Sequence, residues 1–267
     1  MESDLRVRLA AVHARIDRAA DEAGRDPADV ALLLATKTQP AATVRAAVAA
    51  HRALGTGRRL LLGENRVQEL VVKAPDLADL GLAYHLIGPL QSNKVNAALA
   101  WANAIDSVES PALAELLARR WAGHRPAWAN AIDSVESPAL AELPARRWAG
   151  HRPAALDVMV QVNVSGEATK HGVAPCRGLA LATAVAALPG LRLVGFQTIG
   201  AASDDPLVVR AGFAALRAVR DEVTSSGAPG TADAGELSMG MTGDLELAIA
   251  EGATIVRVGT AVFGPRG

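Results

Sequence analysis

Ser238-Met-Gly-Met-Thr-Gly-Asp-Leu-Glu-Leu-Ala-Ile-Ala-Glu-Gly-Ala-Thr-Ile-Val-Arg-Val-Gly-Thr-Ala-Val-Phe-Gly264 is the stretch that decides how this chain folds. It reads as a glycine turn, a short helix starting near Thr242, a buried strand from Thr254 to Val258, and a second glycine turn. Gly240 and Gly243 precede the helix, and Gly259 and Thr260 follow the strand. Turns with free backbone N–H groups, one of them at a helix start, make an anion cradle. Strand, loop and short helix repeated at the chain's C-terminal end is where (β/α)8 barrels hold phosphate. Either turn alone reads as an ordinary helix start or strand end. Two of them on adjacent units, with Arg257 between, favour the cradle.

The other end of the chain supplies the chemistry. Val30-Ala-Leu-Leu-Leu-Ala-Thr-Lys37 is a continuous apolar run closed by a lysine, and Pro40 ends it. A run apolar on both faces suits a central parallel strand. Lys37 then sits at the strand's C-terminal tip, on the face where barrel active sites form. A solvated surface lysine is the commoner case. A desolvated one has a lowered pKa, which frees the neutral amine to condense with an aldehyde. In a closed barrel the first and last strands are neighbours. A ligand carrying an aldehyde at one end and a phosphate at the other, such as pyridoxal phosphate, would be held by both ends of the chain.

The chain resembles the pyridoxal phosphate homeostasis proteins, which are similar to the barrel domain of alanine racemase without its second domain. The resemblance rests on Ala35-Thr-Lys-Thr38, on Gly63-Glu-Asn65 with Val67-Gln-Glu69, and on His85-Leu-Ile-Gly-Pro-Leu-Gln-Ser-Asn-Lys94. Val160-Gln-Val-Asn163 and the block from Ser238-Met-Gly-Met241 to Val256-Arg-Val-Gly-Thr260 complete it, in the family's order. It implies a single pyridoxal-phosphate-binding domain over residues 1–267, a (β/α)8 TIM barrel of fold type III with an added N-terminal helix. It implies that Lys37 carries pyridoxal 5′-phosphate as a Schiff base and that Arg257 faces the pyridine nitrogen. The cofactor-binding set it implies is Lys37, Asn65, His85, Ser238, Met239, Gly240, Arg257, Gly259 and Thr260. This chain departs from the family pattern with Arg66 where tyrosine is usual, altering ring packing beside Asn65. It also has Gln197 where methionine is frequent, which makes the barrel mouth more polar.

Composition sets bounds. At 267 residues the chain suits one large α/β domain. A formal net charge of −1 gives no broad field for nucleic acid or membrane. The single cysteine, Cys176, excludes an intramolecular disulfide and suits a reducing cytoplasm. The N-terminus reads as an amphipathic helix to about Ala23, without a signal-peptide core. The longest apolar stretch, Leu179 to Leu188, is too short to cross a bilayer. His124, His151 and His171 lack metal-ligand spacing, so no metal is assigned.

Strand candidates fall at 30–37, 59–62, 83–87, 103–107, 157–163, 191–197, 235–238 and 254–258. Helical patterns fill the gaps, among them Ala41–Leu54, Arg66–Leu77, Asn93–Trp101 and Pro206–Thr224. Eight strands alternating with helices predict a closed parallel barrel. An open doubly wound sheet would place a glycine-rich dinucleotide turn after its first strand, and none is present.

One feature breaks this pattern. Residues 101–127 are followed at once by a near-identical copy, 128–154, the one difference being Leu117 against Pro144. Each copy is a strand-helix unit with a Ser-Pro helix start, at Ser110-Pro111 and Ser137-Pro138. Pro144 falls inside the second helix, at a cost of about 3 kcal/mol. A ninth strand would change strand number, shear and diameter together, whereas extruding a loop costs little entropy. The expectation is that the first copy enters the barrel and that about residues 124–154 protrude.

His85 on a strand is more often a satisfied core histidine than a ligand contact, and only the resemblance places it in the site. Asn65 follows the second strand and is a candidate contact, while Glu64 reads equally as a charge at a helix start. Two functions remain open. One is a cytoplasmic, monomeric carrier that buffers pyridoxal phosphate and delivers it to apo-enzymes, with no nucleic-acid or membrane partner and no assigned catalytic residue. The other is an amino-acid racemase. Racemases of this fold use a second base, a tyrosine brought from another domain and subunit. No second domain is expected in this chain, and its one tyrosine, Tyr84, lies within a predicted strand. The carrier reading is favoured.

Overall fold

A computed structural model describes residues 2–122 and 154–265. Eight parallel strands close in chain order. They are β1 (Ala31–Ala35), β2 (Leu60–Glu64), β3 (Tyr84–Leu86), β4 (Ala104–Val108), β5 (Leu156–Gln161), β6 (Leu191–Gln197), β7 (Glu236–Ser238) and β8 (Ile255–Val258). Closure brings Leu33 of β1 opposite Leu61 on one side and Arg257 of β8 on the other. The predicted (β/α)8 barrel is therefore the fold.

Burial on both strand faces explains the continuous apolar runs. Ala31 and Leu33 point inward and join Leu61, Met159 and Ile255 in a small cluster inside the barrel. Leu32 and Leu34 point outward into the larger layer between strands and helices. Around the barrel run α2 (Ala41–Leu54), α3 (Val67–Leu77), α4 (Val95–Trp101), α5 (Pro111–Ala122), α6 (Gly178–Ala186), α7 (Pro206–Ser225), α8 (Leu245–Ala250) and α9 (Thr260–Phe263). Local chemistry sets their ends. Asp205 accepts the Leu207 N–H ahead of Pro206 to start α7, and Gly55 stops α2 at φ +63°.

The predicted N-terminal helix is α1 (Glu2–Glu22). Leu5, Leu9, Val12, Ile16 and Ala20 recur every three or four residues and are buried. This stripe packs α1 on α2, α8 and α9. Each large aliphatic residue so buried stabilises by about 1.5–3 kcal/mol.

Both β4 and α5 come from the first of the two sequence copies. The second copy, Ala154 apart, lies outside the described residues, and with it the expected extrusion and the effect of Pro144. One boundary differs from its sequence expectation. The helix expected near Thr242 begins at Leu245, because residues 242–244 form a turn in which Asp244 accepts the Met241 N–H at 2.5 Å. An aspartate side chain that bonds backbone competes with helix and delays its start.

Candidate functional site

At the C-terminal ends of the strands, a cavity of about 340 Å³ opens between the β1, β2, β7 and β8 loops. That volume lies at the lower end of the roughly 300–1,000 Å³ usual for small-molecule pockets. Lys37, Asn65, Arg257, Gly259 and Thr260 all line it, together with Ile87, Thr242, Gly243 and Phe263. Ser238, Met239 and Gly240 do not; they lie buried beneath it.

Lys37 stands two residues beyond β1. The Thr36 N–H extends the ladder to the Gly63 carbonyl at 2.9 Å, and the Gln39 N–H closes a turn on the Thr36 carbonyl at 3.0 Å. Lys37 and Thr38 are the two central residues of that turn. Thr38 has φ +64° and is the only non-glycine with positive φ among the described residues. A β-branched residue there costs on the order of 1–2 kcal/mol.

Beneath this turn lies a buried polar network. Thr36 Oγ1 donates to Glu64 Oε1 at 2.6 Å. Lys73 Nζ donates to the same oxygen at 2.6 Å, to the Thr36 carbonyl at 2.7 Å and to Glu69 Oε2 at 3.2 Å. Glu69 Oε2 also accepts the Thr38 N–H at 2.7 Å. Burial pushes the Glu64 carboxyl up, against the pull of Lys73 and Thr36. Burial acts the same way on Glu69, but the Thr38 N–H and Lys73 outweigh it and hold that carboxyl low. Glu64 is therefore not a solvated charge at a helix start: it ends β2 and is fully buried.

Arg257 reaches across the barrel from β8. Its guanidinium donates to the Ser238 carbonyl at 2.6 Å, to Ser238 Oγ at 3.0 Å and to the Thr198 carbonyl at 2.6 Å. Burial lowers its pKa to about 10, against Asp106 and Asp244, so it stays charged at neutral pH. The Ser238 hydroxyl thus holds Arg257 from below.

The opposite wall is a glycine and hydroxyl cradle. A Cβ on Gly243 would meet no atom within 4 Å, and one on Gly259 would approach the Ala35 carbonyl at 3.1 Å. Thr242 Oγ1 accepts the Ala261 N–H at 3.4 Å, linking the two turns. Helix α1 braces both turns from outside, with Arg15 donating to the Thr242 carbonyl at 2.9 Å and Arg8 to the Val262 carbonyl at 3.4 Å. An amine, a guanidinium and a two-turn cradle around one small cavity fit a phosphorylated aldehyde with a heteroaromatic ring.

His85 lies elsewhere. Its Nδ1 pairs with Asp106 Oδ1 at 2.9 Å and Oδ2 at 3.0 Å. Burial disfavours its charged form, but Asp106 outweighs burial and raises its pKa. The ring faces a separate cavity at the N-terminal mouth, beside Arg59, Asp157 and Arg192. Just past the end of β3 it is Ile87, two residues further on, that reaches the upper cavity, in keeping with the two-residue period of extended backbone. Gln197 is also buried, its amide donating to the Ile87 carbonyl at 3.2 Å, so it adds polarity inside the barrel. Thr242 and Phe263 are not among the sequence candidates, and Gly243 enters there only through its glycine turn, although all three fall within the stretch that carries the cradle. Among the described residues no His, Cys, Asp or Glu cluster suits a metal, and no helix is long and apolar enough to cross a membrane.

Residues 7–267 match the family model described as the alanine racemase N-terminal domain. The chain is 41% identical over 261 residues to the pyridoxal phosphate homeostasis protein of Pseudomonas aeruginosa, covering 97% of this chain and 94% of that one. Among solved structures it is similar to a Bifidobacterium adolescentis protein described as unknown, at 38% identity and a TM-score of 0.80, covering 98% and 95% of the two chains. It is also similar to PipY of Synechococcus elongatus, solved with PLP bound, at 31% identity and a TM-score of 0.71, covering 97% of this chain and all of that one.

Proposed function

The chain belongs to the pyridoxal phosphate homeostasis proteins, and on that premise we propose that it binds pyridoxal 5′-phosphate in the upper mouth of the barrel. Lys37 anchors the cofactor covalently, and the protein keeps it in reserve for apo-enzymes rather than turning over a substrate of its own. One observation carries this reading: a lysine from the β1 turn and a glycine and threonine cradle from the β7 and β8 turns line the same cavity.

When bound, pyridoxal phosphate supplies an amine-reactive aldehyde and an electron-withdrawing ring. Lys37 contributes the attacking amine. Thr242, Gly243, Gly259 and Thr260 take the phosphate through hydroxyl and backbone donors, without a second lysine. Arg257 holds its positive charge on the cavity floor and disfavours a proton on any ring nitrogen placed beside it. Asn65 and Ile87, which line the same cavity, would border the ring.

The racemase alternative needs a second base, and among the described residues no tyrosine lines the cavity. Tyr84, the sole tyrosine, is 1% exposed and packs in the outer layer between strands and helices. His85 opens to the other mouth. The carrier acts as a monomeric barrel in the cytoplasm, its cofactor presented at an open mouth.

The test is the absorption spectrum of the purified protein before and after borohydride. A visible band bleached by borohydride, with the reduced adduct mapped to Lys37 and lost in Lys37→Ala, is the expected result. An adduct at Lys94 or Lys170 at full yield overturns the assignment of Lys37. Racemisation of alanine at ordinary enzymatic rates overturns the carrier reading.

A further inference from the structure

We propose that Glu64, Lys73 and Glu69 form a clamp that holds Lys37 in its turn, making Lys73 and Glu69 positioning residues for cofactor attachment. The inference rests on Lys37 being the anchor. Both neighbours of Lys37 are tied to this triad. On one side Thr36 is held by its carbonyl to Lys73 and by its hydroxyl to Glu64. On the other, the Thr38 N–H is held by Glu69. Lys73 joins the two carboxylates, so the grip on each side depends on the same amine.

Two features separate this from an ordinary buried ion pair. The first is the strained backbone. Thr38, at φ +64°, occupies the third position of a reverse turn, where such a φ calls for glycine or asparagine. Left to itself a threonine would return to negative φ and swing the turn tip that displays Lys37. The bond from the Thr38 N–H to Glu69 opposes that relaxation. The second is the poor economy of the network as a stabiliser. Glu64 is fully buried and its Oε2 has no hydrogen-bond partner among the described residues. Buried pairs of this kind are often matched or bettered by apolar packing. A network of a kind that apolar packing could match, and that grips both sides of one lysine, is best accounted for by positioning. The lysine matters in turn because attachment needs reacting atoms about 3 Å apart, and small misplacement costs up to about a hundredfold in rate.

The experiment uses the full chain and two ligands. Pyridoxine 5′-phosphate has an alcohol in place of the aldehyde, so it reports non-covalent binding alone. Pyridoxal 5′-phosphate at saturation, quenched with borohydride at set times, reports the rate of attachment to Lys37. Glu69→Ala and Lys73→Met should slow attachment by roughly tenfold or more, with pyridoxine phosphate affinity changed less than about twofold. Adding Thr38→Gly to Glu69→Ala should recover much of the rate, because glycine holds the left-handed turn without strain. Should Lys73→Met fail to fold, Glu69→Ala decides, since that side chain is 23% exposed. Unchanged attachment rates, losses that run in parallel for both ligands, or no recovery with Thr38→Gly would overturn the clamp. A wild-type protein that is not labelled at Lys37 would overturn the underlying reading instead.

Discussion

Thr260 and Gly240 separate two roles that look alike in sequence. Thr260 is exposed on the cavity wall, so Thr260→Ala should weaken pyridoxal phosphate by about 1–3 kcal/mol for a lost bond to a charged group. Pyridoxal, lacking the phosphate, should be unaffected; equal losses for both ligands would remove Thr260 from the cradle. Gly240 sits beneath the wall with φ +86°, and a Cβ there would lie 2.5 Å from the Ala248 Cβ and 3.2 Å from the Leu245 Cα. Gly240→Val should therefore lower the melting temperature without selectivity between phosphorylated and unphosphorylated ligands. A phosphate-specific loss with an unchanged melting temperature would place Gly240 in the cradle after all. Lys37 and Arg257 were legible because each ends or interrupts an apolar run, so burial and polarity conflict in plain view. Glu64 was not: a charge between a glycine and an asparagine, just ahead of a helical pattern, reads equally as a charge at a helix start, and its partner Lys73 lies nine residues on, beyond any local period. His85 was readable as a strand residue, but whether it serves the upper or lower mouth depends on register, which no single strand discloses.

Among the elements, α1 carries a pH-sensitive joint. Arg58 Nε donates to His13 Nδ1 at 3.1 Å, His13 Nε2 meets His51 Nδ1 at 3.0 Å, and His51 Nε2 meets the Arg58 carbonyl at 3.2 Å. Arginine only donates and a carbonyl only accepts, so the direction of every bond is fixed and both rings must be neutral. A proton added to either ring would set N–H against N–H. Burial, then His51 and Arg58, lower the His13 pKa to about 4, with Asp17 in partial opposition; burial lowers that of His51 too. A histidine lowered in the folded state takes up its proton earlier when unfolded. Its contribution is thus intact above about pH 6.5 and is lost as pH falls toward 4. His13 alone should remove on the order of 2 kcal/mol by pH 5. Urea midpoints at pH 7 and pH 5 measure this, and His13→Gln, which does not titrate, should flatten the profile. Parallel profiles for the two proteins would show that the joint is not what titrates. The helix itself was evident from its apolar spacing, but this cluster was hidden, since its members come from α1, α2 and the segment before β2.

For the molecule as a whole, the duplicated segment offers a direct test. Helix α5 ends at Ala122 and β5 begins at Leu156. Deleting residues 128–154 leaves six residues between them, a length usual for helix-to-strand loops of about 2–6 residues. The shortened chain should bind pyridoxal phosphate unchanged and melt at the same or a higher temperature. A deletion product that fails to fold would mean that the second copy supplies part of the core. Barrel topology was legible because eight apolar runs alternate with amphipathic spacings, and each β-strand begins within one residue of its expectation. What stayed hidden was which side chains meet across the barrel, because that follows from closure rather than from any one segment.

Closure by β1 against β8 also imposes an order of events on a chain being made. Lys37 emerges from the ribosome some two hundred residues before Gly243, Arg257, Gly259 and Thr260. The cavity has no second wall until β8 seats beside β1, so a growing chain exposes Lys37 before there is anything to hold a cofactor against it. Ribosome-arrested chains stopped before Ile255 should escape borohydride labelling at Lys37, while chains released through Gly264 should be labelled. On the proposed reading, cofactor capture waits for β8, and chains that stop short of it draw nothing from the cell's pool.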